Sequence, residues 1–267
     1  QVLRDAGVSF REIQADEVRR LAPAINPDTE FLGAVHLPDD EVGNCRQFAL
    51  LLKREAERLG AIFRFNSTVA LANPAQPATL LIAGETVPRD FDAIVLCAGL
   101  ESANLLRTLG LRIPMAAVYG YSISPPIREP LNAPRAGLMD ERYKVAISRL
   151  GQRVRVAGSA EIGGQLGTKR AASVQTLYKV LHDWFPGAAQ ISNTSASVQE
   201  WKGARPMLPD GPPVIGASGL PGLWLNLGHG SSGWALSCGS ARALADLVAG
   251  REPGLDLEGL GLSRLMG

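Results

Sequence analysis

Asn226 to Gly250 reads "NLGHGSSGWALSCGSARALADLVAG", and its succession of residue types is that of a strand feeding a helix. Leu223, Trp224 and Leu225, just ahead of it, are the end of an apolar strand. Gly, Ser and a single His fill the stretch from Gly228 to Gly233, and beyond them Leu, Ala and Val recur at helical spacing. A helix N-terminus presents unpaired N–H groups and about half a positive charge, so a junction stripped of bulk lets an anionic or electron-rich ligand approach the backbone. Gly228, Gly230 and Gly233 are placed for this. The same residues also suit a strand-to-helix turn that needs positive φ, and Gly233 and Gly239 suit close helix packing.

The rest of the chain sets bounds on what this junction serves. With 267 residues, 46% of them hydrophobic, the chain is long enough for one large core or two smaller ones. Its 27 Lys and Arg are matched by 26 Asp and Glu, which argues against the concentrated basic face of a nucleic-acid binder. Cys45, Cys97 and Cys238 are odd in number, far apart and without a CxxC pair. They read as reduced thiols of a cytoplasmic protein, not as a disulfide framework or a metal site, and Cys97 and Cys238 are expected in the core. No apolar run approaches the roughly 20 residues of a membrane span.

Working outward, "QVLRDAGVSFREIQADEVRRLAP" at the start predicts a small helix, a strand and a second helix stopped by Pro23, with the texture of mid-domain sequence. "FLGAVHLPDDEVG" predicts a short strand broken by an acidic turn. "CRQFALLLKREAERLGA" carries Phe48, Leu51, Leu52, Ala56 and Leu59 on one helical face and ends at Gly60. "IFRFNSTVALA" reads as a strand, "TLLIAGETVPRDF" as a hairpin, and Ala93 to Cys97 as an apolar strand buried on both faces. After Pro114 the texture changes: "AAVYGYSISPPI", "YKVAISRL" and "QRVRVAGSAEI" alternate apolar with polar residues, the pattern of half-exposed antiparallel strands. "SVQTLYKVLHDWFPG" supplies a helix, "SASVQEWKGARPMLPDGPPVIGAS" is strand-like, and the chain then returns to the opening stretch. The expected fold is α/β (α+β), with a discontinuous nucleotide-type domain over 41–112 and 205–267. A β-rich layer with an antiparallel or mixed sheet is expected over 1–40 and 113–204.

Three ordered segments carry a resemblance. "WKGARPMLPDGPPVIG" followed by the opening stretch, "FDAIVLCAGLESANLLRTLGLRIPMAAVYGYSISPPI", and "LPDDEVGNCRQFALLLKREAERLGAIFRFNSTV" together are similar to FAD-dependent amine oxidoreductases of the D-amino-acid oxidase and glycine oxidase type, and above all to D-amino-acid dehydrogenases. Such enzymes begin with a strand, a GxGxxG turn and a helix that holds the FAD pyrophosphate, with an acidic residue about 20 residues on. The sequence has no such opening, and "GSAEIGG" follows an antiparallel-type strand. The resemblance thus implies a C-terminal fragment whose Rossmann-like FAD domain is incomplete, with FAD as the cofactor of the full-length protein.

What the resemblance implies for residues follows position by position. Arg205 matches the arginine that grips the substrate carboxylate, a task suited to a planar guanidinium with two parallel hydrogen bonds. Gly228, His229, Gly230, Ser231, Ser232 and Gly233 match the loop lining the flavin's pyrimidine end, where helix N–H groups stabilise developing charge. Val69 matches the position whose backbone meets the adenine, and Ala98 and Gly99 the small pair that approaches the dinucleotide. Tyr121, Tyr143 and Lys144 fall in the β-rich layer expected to roof the substrate. The implied reaction takes a hydride from the Cα of a D-amino acid to flavin N5, with hydrolysis of the imino acid to a 2-oxo acid and ammonia. Electrons then pass to a quinone or other respiratory acceptor, as in the dehydrogenases, or to oxygen, as in the oxidases; the dehydrogenase resemblance favours the first, which implies peripheral contact with the inner face of the cell membrane. The alternatives are a glycine or sarcosine oxidase or a 2-hydroxy-acid dehydrogenase of the same superfamily, or a non-catalytic binding subunit.

Overall fold

The computed structural model describes residues 1–73, 75–191 and 198–266. The chain opens with α1 (Val2–Asp5), β1 (Arg11–Gln14) and α2 (Ala15–Leu21), the last ending ahead of Pro23 as its sequence predicts. β2 (Gly33–His36) pairs antiparallel with β1, Ile13 opposite Ala34. α3 (Cys45–Arg58) is closed by Gly60 at φ 96°, a conformation that favours glycine. β3 (Val69–Asn73), β4 (Gln76–Ile82) and β5 (Arg89–Asp90) make an antiparallel three-stranded sheet. Then come β6 (Ile94–Leu96), α4 (Glu101–Thr108), β7 (Ala116–Ser124), β8 (Leu138–Asp140), β9 (Val145–Leu150), β10 (Arg153–Ile162) and α5 (Ala171–Trp184). The chain closes with β11 (Gln199–Met207), β12 (Val214–Ala217), β13 (Leu223–Leu227) and α6 (Gly233–Val248). The strand signal that begins at Ser195 is realised from Gln199; residues 195–197 lie outside the described residues.

The chain divides into two units, residues 1–52 with 119–203 and residues 53–118 with 204–267. The first is built on a five-stranded sheet of order β11-β7-β10-β9-β8. Its alternation is the one written in the sequence: Val145 and Ile147 of β9 and Val154 and Val156 of β10 are fully buried, two residues apart on each strand. α5 packs on β9 and β10 through Leu177, Val180 and Leu181 at helical spacing, with Phe185 below them. In the second unit, β12 and β13 are antiparallel while β13 and β6 run parallel. Leu96, Leu106, Val214, Leu223, Leu225 and Leu227 form the centre of its core, and α6 lies against β12 and β13.

Several expectations need correction. "IFRFNSTVALA" is a strand only from Val69; residues 61–66 are irregular, and Asn66 breaks the run at φ 54°. The apolar run at Ala93–Cys97 is buried only at Leu96, because β6 hydrogen-bonds to β13 alone and is a sheet edge among the described residues. Cys97 and Cys238 are exposed, not core thiols. On α6 the buried face runs through Ser240, Ala243 and Leu244, which leaves Cys238 on the other side. α3 has the predicted amphipathic pattern, yet none of its residues is buried.

Candidate functional site

The junction after β13 is a strand-to-helix turn whose geometry accounts for its glycines. Gly228 and Gly230 adopt φ 77° and 54°. A Cβ on Gly228 would lie 2.4 Å from Leu208 Cδ1, and one on Gly230 2.6 Å from Met207 Sδ. The turn is therefore pressed against the end of β11. The Gly230 N–H donates to the Pro206 carbonyl at 3.0 Å, Met207 and His229 form a β-bridge, and the Ser232 N–H donates to the His229 carbonyl at 3.1 Å. Arg205, half-buried, stands one residue before the carbonyl that anchors this turn. The glycine-rich turn is thus hydrogen-bonded to the residue that follows the arginine singled out in the sequence. Gly233 has a further reason to lack a side chain, since its Cβ would lie 3.1 Å from His229 Cβ; at Gly239 the nearest atom is an ordinary 3.9 Å away.

The chemistry offered here is that of a helix start over desolvated polar atoms. α6 has 16 residues, no acidic residue in its first turn, and an N-cap, Ser232, whose side chain makes no capping bond. Its positive end is therefore not neutralised by its own sequence. His229 Nε2 and Asn226 Oδ1 are buried without a hydrogen-bond partner in the protein, an arrangement that demands explanation because such atoms are usually satisfied. Burial pushes the His229 pKa below its ordinary value, so the ring is neutral at physiological pH. Orphaned polar atoms beside an uncapped helix start fit an electron-rich, hydrogen-bonding heterocycle such as the pyrimidine edge of a flavin.

Ala98 and Gly99 occupy the turn between β6 and α4. Gly99 has φ 56° and a Cβ there would meet nothing within 4 Å, so close packing is not the reason for this glycine. The Ser102 N–H donates to its carbonyl at 3.2 Å, while Ser102 Oγ is buried without a partner. Val69 begins β3 opposite Ile82 and is 38% exposed. The Cys97 thiol, at the end of β6, is pushed up by the desolvation of its surroundings, which makes it a poor nucleophile at neutral pH.

In the first unit the candidates separate. Lys144 and Tyr143 belong to the turn of the β8–β9 hairpin. Lys144 has φ 52° and pairs with Glu141, both largely exposed, and the Tyr143 ring lies under Arg142 and Lys179. Its N–H donates to Asp140 Oδ1, whose other oxygen accepts from Trp184 Nε1. Tyr121 is 2% exposed on β7, and its hydroxyl donates to Glu161 Oε2 and accepts from the Arg170 N–H at 3.0 Å. Sequence reading did not single out the group beside it, Lys202. This side chain is 2% exposed, 2.7 Å from the same Glu161 oxygen, and over the rings of Tyr119 and Tyr121. Burial alone lowers the Lys202 pKa, but the adjoining Glu161 and Tyr121 more than offset this and raise it; Lys202, then Tyr121, hold Glu161 below the carboxylate range. A Lys inside the strand-like run "EWKGARPM" is the signal that could have found it.

Among the described residues there is no group of His, Cys, Asp and Glu that could hold a metal ion, and no helix long and apolar enough to cross a membrane.

Comparison with known proteins places these features in a family. The chain is 40% identical over 266 residues to a D-amino acid dehydrogenase of Bradyrhizobium diazoefficiens and 40% identical over 269 residues to one of Chromohalobacter salexigens. The alignments cover 98% and 99% of the chain, which spans 62% of the length of each relative. The fold is that of glycine oxidase from Geobacillus kaustophilus, with a TM-score of 0.83 at 22% identity over 99% of this chain and 70% of that one. Iminodiacetate oxidase from Chelativorans sp. BNC1 is similar too, with a TM-score of 0.81 at 25% identity over 97% of this chain and 69% of that one. Residues 1–247 match the DAO family, FAD dependent oxidoreductase, and the chain belongs to that family.

Proposed function

We propose that the full-length protein is an FAD-dependent D-amino acid dehydrogenase, in which residues 53–118 and 204–267 hold the cofactor and residues 1–52 and 119–203 face the substrate. The observation that carries this reading is the hydrogen bond tying Gly230, in the turn ahead of α6, to the residue after Arg205. It supports an arrangement in which Arg205 grips the carboxylate near a helix start suited to an electron-rich ring. The name shared by the two relatives at 40% identity supports the substrate class.

In this reading Arg205 binds the amino-acid carboxylate through two parallel hydrogen bonds and so fixes which face of the Cα presents its hydrogen. FAD, when bound, supplies the two-electron acceptor for that hydrogen. The start of α6, with Gly228 to Gly233 around it, stabilises negative charge at the ring edge nearest it. Val69, Ala98 and Gly99 offer backbone that the dinucleotide can approach closely. Neutral His229 offers an uncharged hydrogen-bonding atom without adding a competing cation. Abstraction of the Cα hydrogen as hydride from a neutral amine calls for no carboxylate base, and orientation carries the catalysis. The imino acid left behind hydrolyses to a 2-oxo acid and ammonia. The word dehydrogenase in the relatives' names favours a quinone or other respiratory acceptor over oxygen.

The test is anaerobic mixing of the full-length flavoprotein with matched D- and L-amino acids, glycine and sarcosine, following loss of the flavin's visible absorption. Bleaching by D-amino acids, with the L-isomers inert, is the expected result. A protein that stays colourless after reconstitution with FAD, or bleaches only with glycine or sarcosine, overturns the assignment.

A further inference from the structure

The buried cation of the first unit has no role in the reading above, and its surroundings are unusually complete. Besides lying over the rings of Tyr119 and Tyr121, Lys202 Nζ meets three oxygens: Glu161 Oε2 at 2.7 Å, the Gln165 carbonyl at 2.8 Å and the Thr168 carbonyl at 2.7 Å. These use all three of an ammonium's donors. Two of the three acceptors are backbone atoms of the stretch between β10 and α5, residues 163–170, whose sequence is "GGQLGTKR". Such a segment, with Gly at 163, 164 and 167 and with exposed residues throughout except Gly164, has one turn of its own, the Thr168 N–H donating to the Gln165 carbonyl at 3.2 Å, and an exposed tie from Lys169 to Glu200. Its other ties come from beneath. The Glu161 carboxylate lies against it so closely that a Cβ on Gly164 would be 2.3 Å from Oε1. The far end is tied by the Arg170 N–H, which donates to the Tyr121 hydroxyl at 3.0 Å.

That last bond bears on Tyr121. A phenol has one proton to donate, and here it goes to Glu161, while its oxygen accepts from Arg170. The hydroxyl has no proton left for a substrate, and its ring is 2% exposed beneath Lys202. Burying a charged pair is seldom the most stabilising way to fill a core, since apolar residues of similar volume often do as well or better. What an ammonium does, and a methyl group does not, is hold two carbonyls of a glycine-rich loop at fixed positions.

The geometry points to Lys202, Glu161 and Tyr121 as one latch that fixes the 163–170 loop of the first unit, with Tyr121 a positioning residue that does not touch substrate. That the loop bears on substrate rests on the assignment of the first unit to the substrate side; the latch itself does not. The two therefore fail in distinguishable ways. The experiment uses the full-length enzyme with Lys202→Met, Tyr121→Phe and the double variant. Hydrogen exchange of the 163–170 peptide is read alongside KM and kcat for a D-amino acid. Each single variant is expected to speed exchange of that peptide about tenfold and to raise KM about tenfold with kcat within about twofold. The double variant is expected to be no worse than the more affected single one, because both remove the same constraint. Exchange unchanged in Tyr121→Phe overturns the latch. A large fall in kcat in Tyr121→Phe with exchange unchanged assigns Tyr121 to the reacting atoms and overturns it too. If Lys202→Met does not fold, Tyr121→Phe, which deletes one oxygen, decides by itself. Faster exchange with KM unchanged keeps the latch and removes its bearing on substrate, overturning that part. Failure of D-amino acids to bleach the wild-type flavin removes the functional assignment and leaves the exchange result standing.

Discussion

At the scale of single residues, Arg205 and His229 carry the sharpest expectations. Replacing Arg205 by Lys keeps the charge and loses the fork, so kcat/KM of the full-length enzyme should fall by about 1.5 to 3 kcal/mol, roughly 10- to 150-fold. Steady-state kinetics that match wild type would remove Arg205 from the site. His229 gives a pH expectation with a definite sign. Its pKa is lowered by burial, so the unfolded chain takes up a proton that the folded protein refuses. Stability from this group is complete above the unfolded value of about 6.5 and is lost as pH falls through the lowered value. The Tm of His229→Asn should therefore drop less than that of wild type between about pH 7.5 and pH 5.5, and equal drops would place the titrating group elsewhere. The arginine and the glycines could be singled out in advance because their residue types are tied to one chemistry or one backbone region. Lys202 and Glu161 could not. They lie 41 positions apart in the chain, and nothing local says that a Lys in a strand will turn inward onto a carboxylate from another strand.

At the scale of elements, the glycines of the candidate site divide into Gly228, Gly230 and Gly233, which serve packing, and Gly99, which does not. Gly228→Ala adds a methyl at positive φ and within 2.4 Å of Leu208, so unfolding free energy should fall by about 2 to 4 kcal/mol. Gly99→Ala faces open space and should lose only about 1 to 2 kcal/mol from its backbone conformation. If the Ala98–Gly99 turn is approached by the dinucleotide, the same variant should release FAD more readily than its small loss of stability explains, a difference that denaturation and cofactor titration measure together. Elements whose periodicity is set by their own core were legible: β9, β10 and α5 bury the residues that their alternation and helical spacing mark. The elements read less well are those whose burial depends on neighbours. β6 and α3 have the apolar content of buried elements, yet Val95, Leu51 and Leu52 are exposed, because hydropathy records what a side chain favours and not whether another segment covers it.

At the scale of the molecule, two separate cores should unfold as two events. Calorimetry of the full-length protein is expected to show a total enthalpy larger than a single two-state transition gives. FAD at about 100 times its Kd should stabilise the unit of residues 53–118 and 204–267 by about 2.7 kcal/mol and raise that transition, leaving the other in place. One sharp transition moved as a whole by FAD would contradict this. The division also sets the order in which the polypeptide can close on itself during synthesis. The chain changes unit after Leu52, Val118 and Gly203, so each core waits for strands made late. β11 completes the sheet of the first unit only when Met207 has left the ribosome, and the second waits for α6. At about 5 to 20 residues per second, the stretch of the first unit that ends at Leu52 carries its leucine, valine and isoleucine bare for roughly 8 to 30 seconds before Met207 is made. Production in cells should accordingly depend on chaperone supply and translation speed more than the final stability of either core would suggest.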